Sequence, residues 1–128
     1  MKNLIVILAL LIWSSGFSQT EEFVGIYEKK EKHDSGIILE VVLELKSDSS
    51  FFCTFYQDQL CYEEDDKGKG KWKVDNGVIL FSAEQQKDVN KEYNLDFNGT
   101  IAEIEGNKLI FKESKMLWPP RVPLIKKK

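Results

Sequence analysis

The stretch "YNLDFNGTIAEIEGNKLIF", Tyr93 to Phe111, decides the fold class, because it holds two turn signals with alternating apolar residues around both. Asn98-Gly99 suits a two-residue hairpin turn, in which both central residues take positive φ, and counting outward pairs Phe97 with Thr100, Leu95 with Ala102 and Tyr93 with Ile104. Gly106-Asn107 is a second turn, pairing Ile104 with Leu109 and Ala102 with Phe111. Both turns place Ala102 and Ile104 on one inner face. A slip of one residue in either would send the whole set to the other face, so this agreement predicts consecutive antiparallel strands.

The same pattern extends outward. In "KWKVDNGVILF" the turn is Asn76-Gly77, which pairs Val74 with Ile79 and Trp72 with Phe81. Upstream, "IILEVVLELK" sets Leu39, Val41, Leu43 and Leu45 on one face, "SDSS" at 47–50 is a turn built from side chains that bond their own backbone, and "FFCTFY" is apolar on both faces. A first strand over Phe23–Lys30 is joined to the second by "HDSG". "YEEDDKGKGK" at 62–71 reads as a charged loop, and "EQQKDVNKE" at 84–92 as a helical turn or a plain connector. The three prolines of "MLWPPRVPLIKKK" predict that Trp118–Pro123 runs along an edge or across a barrel opening, before Leu124 and Ile125 pair as a last short strand.

The chain opens with Lys2, an apolar run from Leu4 to Trp13, and the small residues Ser14, Ser15, Gly16 and Ser18. This is the pattern of a secretory leader over residues 1–18, and the run is too short to span a membrane. Residues 19–128 then form one domain, exported to the periplasm or the extracellular space, without stable membrane insertion. No cysteine stands near the cleavage point, so a lipoprotein anchor is not expected. A formal net charge of −3 gives no reason to expect a nucleic-acid partner.

Cys53 and Cys61 flank "TFYQDQL". A hairpin turning at Gln57-Asp58 would bring them together as a disulfide; the alternative is two reduced, buried thiols. His33, the one histidine, sits in a polar loop, and the four consecutive acids from Glu63 to Asp66 lack the spacing of a calcium loop, so no metal or other cofactor is expected. With no nucleophile motif and no phosphate loop, an enzyme is not expected either.

Gly25-Ile26-Tyr27 is similar to the Gly-x-Trp of a lipocalin first strand, "LELKSDSSFF" resembles a strand, Asp-containing turn and aromatic strand start of that family, and Gly70-Lys71-Trp72 leads into its own hairpin. The "FSQ" ending of the leader resembles those of Bacteroidetes. Together these features look like a small bacterial lipocalin-like, calycin-type domain. The resemblance implies an all-β, antiparallel up-and-down meander of about eight to ten strands that closes into a small barrel, with ligand binding as a family tendency.

An eight-stranded barrel is wide enough either to be filled by its own side chains or to hold one small ligand. Tyr27, Phe55, Trp72, Phe81, Tyr93 and Phe97 are the candidate ligand-binding residues on the expected inner face. The leading expectation is an exported barrel that binds an apolar or amphipathic small molecule. The alternative is a packed β-domain that acts as an interaction or inhibitor module on an envelope protein, with a recognition patch around Trp118 and Pro119; taken by itself, Trp118 reads first as a plug sealing one end of the core.

Overall fold

Alternating side chains become eight strands: β1 Gly25–Lys32, β2 Ile38–Leu45, β3 Ser50–Gln59, β4 Tyr62–Asp75, β5 Val78–Ser82, β6 Ile101–Glu105, β7 Lys108–Glu113 and β8 Leu124–Lys126. The computed structural model describes residues 21–59, 61–116 and 118–128; the leader read from residues 1–18 lies outside the described residues. The strands follow one another around a closed antiparallel barrel in chain order. Short β8 pairs with β7 on one side and β1 on the other, which closes the sheet.

Two of the turn readings hold residue for residue. Asn76 and Gly77 take φ of 53° and 77°, and β4 and β5 pair Val74 with Ile79 and Trp72 with Phe81. Across Gly106-Asn107, Ile104 pairs with Leu109 and Ala102 with Phe111. The Lys46–Ser50 turn is held as its composition suggests, with the Asp48 carboxylate accepting from the Ser50 amide at 2.9 Å. The inward residues of β2 and β3, Val41, Leu43, Leu45, Phe51, Cys53 and Phe55, are all buried.

The hairpin expected before Asn98-Gly99 does not form. A turn closes there, with the Thr100 amide on the Phe97 carbonyl at 2.9 Å, but Gly99 takes positive φ and Asn98 does not, and β6 pairs with β5, matching Ala102 to Ile79 instead of Leu95. Asp96 accepts from the Asn98 amide and Asn98 accepts from the Ala83 amide, so side chains bend residues 94–97 away from the ladder. That segment runs instead beside β4, where the Leu95 amide donates to the Lys67 carbonyl and the Lys67 amide to Asn94 Oδ1.

"YEEDDKGKGK" is likewise a strand, not a loop. Its lysines point outward while Asp66, Gly68, Gly70 and Trp72 point inward, so period two runs through the charges. Gln57 and Asp58 consequently stay in the ladder opposite Glu64 and Glu63, because polar side chains facing water cost a strand nothing once its backbone is paired. β3 and β4 stay paired out to Gln59 and Tyr62, which separates the cysteines. Cys53 sits buried opposite Gly68, Cys61 is exposed at the tip, and the thiols are free, so the expected disulfide is absent. In the tail, Pro119–Arg121 forms a 3-10 turn in place of an extended run, before β8 pairs as its sequence suggested.

Glycines on the inner face of β4 set how closely the chain can pack there. A Cβ on Gly68 would stand 2.9 Å from the Phe97 ring, and one on Gly70 would collide with the Ser82 carbonyl. Gly70 also holds φ of 157°, in a region L side chains rarely adopt. Gly70→Ala is therefore expected to lower unfolding free energy by roughly 2–4 kcal/mol. Gly77→Ala, at positive φ but in open space, should cost only about 1 kcal/mol. Urea denaturation of the two variants checks the order. Burial also pushes the Cys53 thiol well above its usual range. A maleimide should label Cys61 in the native protein and Cys53 only after unfolding, and a Cys53–Cys61 linked peptide in a non-reducing digest would contradict this arrangement.

Candidate functional site

The aromatic residues expected to line a cavity pack against one another. Phe81 and Phe97 meet Phe51 at ring-centroid distances of 5.0 and 4.8 Å, and Phe81 meets Phe111 at 6.1 Å. Phe97 enters this cluster from the segment beside β4, over the space that Gly68 leaves free. Phe55 lies farther along the barrel, where the Trp118 ring stacks on it at 4.8 Å and stands edge-on to Phe111 at 6.1 Å. With Pro119 fully buried beside it, Trp118 packs against the core, and the recognition patch expected around these two residues is not an exposed surface.

Tyr27 and Trp72 are anchored by their polar atoms. Tyr27 is fully buried and donates its hydroxyl to the Phe23 carbonyl at 2.8 Å. Trp72 donates its indole N–H to the Lys46 carbonyl at 3.1 Å, which ties the β2–β3 turn to β4. Tyr93 alone among the six candidate residues stands outside the buried core; the other five belong to one core cluster, in which the rings of Phe81 and Phe97 meet directly.

Tyr93 is the key to the surface feature with most chemical character. Its ring folds over the outer face of β3 and β4, edge-on to Phe52 at 6.4 Å, with the Lys69 ammonium 4.2 Å from the ring centre. Phe52 and Lys69 are cross-strand partners, so the ladder itself places an aromatic ring beside a cation. Around them a groove of about 360 Å³ opens between the Lys46–Ser50 turn and residues 84–93. Four lysines, Lys46, Lys69, Lys71 and Lys87, line it against two acids, Glu84 and Asp88. Asp88 is engaged, accepting from the Glu84 amide at 2.9 Å. The groove thus combines aromatic edges with excess positive charge, which suits a ligand having an apolar body and an anionic end.

Sequence reasoning missed Phe52, Lys46, Lys69, Lys71 and Lys87. The signal was present for two of them: Lys67, Lys69, Lys71 and Lys73 recur at period two, as outward positions of a strand must. Lys46 and Lys87 reach the groove through turns, and nothing local marks them.

One inward carboxylate lies at the far end of β4. Asp66 is buried opposite Phe55 and accepts from the Asn94 amide group, and Glu64 is held above its usual range by sharing a hydrogen bond with Asp66, by burial and by the Asp66 charge. Among the described residues no group of three or more His, Cys, Asp or Glu side chains could hold a metal ion, and no helix is long and apolar enough to cross a membrane.

No protein-family profile matches the chain, and no curated protein does. Among solved structures the chain is similar to a "putative lipoprotein" from Shewanella oneidensis, with 20% identity, a TM-score of 0.55, and coverage of 86% of this chain and 94% of that one. This likeness shows a shared small β-barrel fold. The word lipoprotein describes the Shewanella protein.

Burial pushes the Tyr27 phenol from 10.0 up to about 12. In the unfolded chain the phenol loses its proton near pH 10, so between about 10 and 12 the unfolded state binds fewer protons and stability falls as pH rises; below 10 the group contributes no slope. Denaturation midpoints measured across this window should fall more steeply for the protein than for Tyr27→Phe.

Proposed function

We propose that this chain is an exported, lipocalin-like β-barrel protein that binds a small amphipathic anion, and that it does so in the rim groove over β3 and β4 rather than inside the barrel. The observation that carries the reading is the Lys69 ammonium set 4.2 Å from the Tyr93 ring at the mouth of a lysine-lined groove. An apolar ring or short alkyl body would lie against Tyr93 and Phe52, and a carboxylate, sulfonate or phosphate would meet Lys46, Lys71 and Lys87. The inner ring contacts support the same placement, since a ligand among them would have to displace Phe97 from Phe51 and Phe81. The leader over residues 1–18 supports export.

Titration with 8-anilinonaphthalene-1-sulfonate tests the reading. One saturable site is expected, competed by decanoate, with Lys69→Ala and Tyr93→Ala each weakening binding about tenfold, equivalent to about 1.4 kcal/mol. Lys112→Ala, on the opposite side of the sheet order, should leave it unchanged. Binding indifferent to both groove substitutions would place any ligand elsewhere.

A further inference from the structure

The barrel closes, but along its β1–β8 seam the short β8 covers only part of β1. β8 pairs with β1 only at Tyr27 and Glu28, yet β1 continues to Lys32. Pro123, just before β8, has no backbone N–H and cannot extend the ladder. The Lys127 amide donates to the Ile26 carbonyl at 2.7 Å, which fixes the even-numbered residues of β1 as those whose N–H and C=O face the β8 side. Beyond Glu28 these are Lys30 and Lys32. Among the described residues neither has a ladder partner on that side, and both side chains are exposed.

A groove of about 490 Å³ opens beside this free edge. Pro123 and Ile125 form its apolar wall, Ile125 being 48% exposed. Five lysines and two glutamates line it, against a formal net charge of −3 for the chain as a whole. Both glutamates are engaged, Glu31 with Lys29 at 3.0 Å and Glu28 with Lys30 at 4.0 Å. Lys108 and Lys127 make no ion pair among the described residues.

We infer that the Lys30–Lys32 edge of β1 is a docking site for an extended acidic segment of a partner protein, which joins the barrel as a short added strand. Backbone groups of Lys30 and Lys32 supply the ladder, Ile125 and Pro123 receive an apolar side chain, and Lys108 and Lys127 meet carboxylates. The free stretch from Lys29 to Lys32 sets the paired length at about 13 Å. A second copy of the same edge is a poor occupant, because antiparallel pairing would bring lysine against lysine. This site is separate from the rim groove, so the two readings stand or fall independently.

The test uses a fluorescein-labelled peptide of alternating valine and glutamate, with a valine–lysine peptide as control. The acidic peptide should bind saturably by anisotropy, slow hydrogen exchange at the Lys30 and Lys32 amides, and bind at least tenfold more weakly to a K108E/K127E variant whose circular dichroism is unchanged. The proposal is overturned by any of four results: no saturation at millimolar peptide, binding that leaves both amides exchanging at their free rate, equal binding of the lysine peptide, or concentration-dependent self-association that protects the same amides.

Discussion

Everything in this barrel depends on the contact between Phe97 and the bare backbone of Gly68. A barrel of eight strands has room either for its own side chains or for one small ligand. Phe97 comes from the long connection between β5 and β6, and it reaches Phe51, Phe81 and Phe111 only because Gly68 presents no side chain in its path. Once Phe97 is seated, residues 94–97 lie beside β4, and Tyr93 is carried to the outside, over Phe52 and Lys69. One glycine therefore links the inner ring cluster to an aromatic groove on the surface.

The parts of this arrangement that were legible in the sequence are those held by local chemistry. Asn76-Gly77 specifies both the turn and its register because positive φ at two successive positions admits few residues. Asp48 bonding back to Ser50 is equally local. The Tyr62–Lys71 part of β4 was obscured because its charges and glycines resemble a loop, and only pairing with all ten residues of β3 makes it a strand. The Cys53–Cys61 reading failed for the same reason, since the position of the β3–β4 turn follows from how far that pairing extends. Residues 93–97 misled in the opposite direction. Their alternation is real, with Leu95 and Phe97 buried, but it serves packing beside β4 and not the hairpin that the Asn98-Gly99 turn suggests.

The inner face was legible in the sequence, but its packing was not. The apolar pattern identified Phe81 and Phe97 as inner residues, and they are; what alternation cannot tell is whether the large side chains it turns inward leave a void between them. Ring volume decides that, and here neighbouring rings stand at contact distance. Tyr93 was identified as a ligand-binding candidate on an inner face, and its place in the rim groove follows from the bend at Asp96 and Asn98, which side-chain hydrogen bonds impose.

Unequal strand lengths connect the two surface grooves. β4 has 14 residues and its neighbour β5 has 5, while β1 has 8 and its neighbour β8 has 3. Wherever a long strand outruns a short one, backbone donors and acceptors are left at an edge, and they must be paired by the chain, by water or by a partner. Along β4 the chain supplies its own cover, with Asn94 and Leu95 bonding Lys67. Along β1 the proline before β8 prevents the same solution, and the uncovered edge carries lysines instead. Lysine on an edge repels an identical edge while attracting an acidic one. The mismatch that β4 resolves internally is thus left on β1 as a surface selective for one kind of strand.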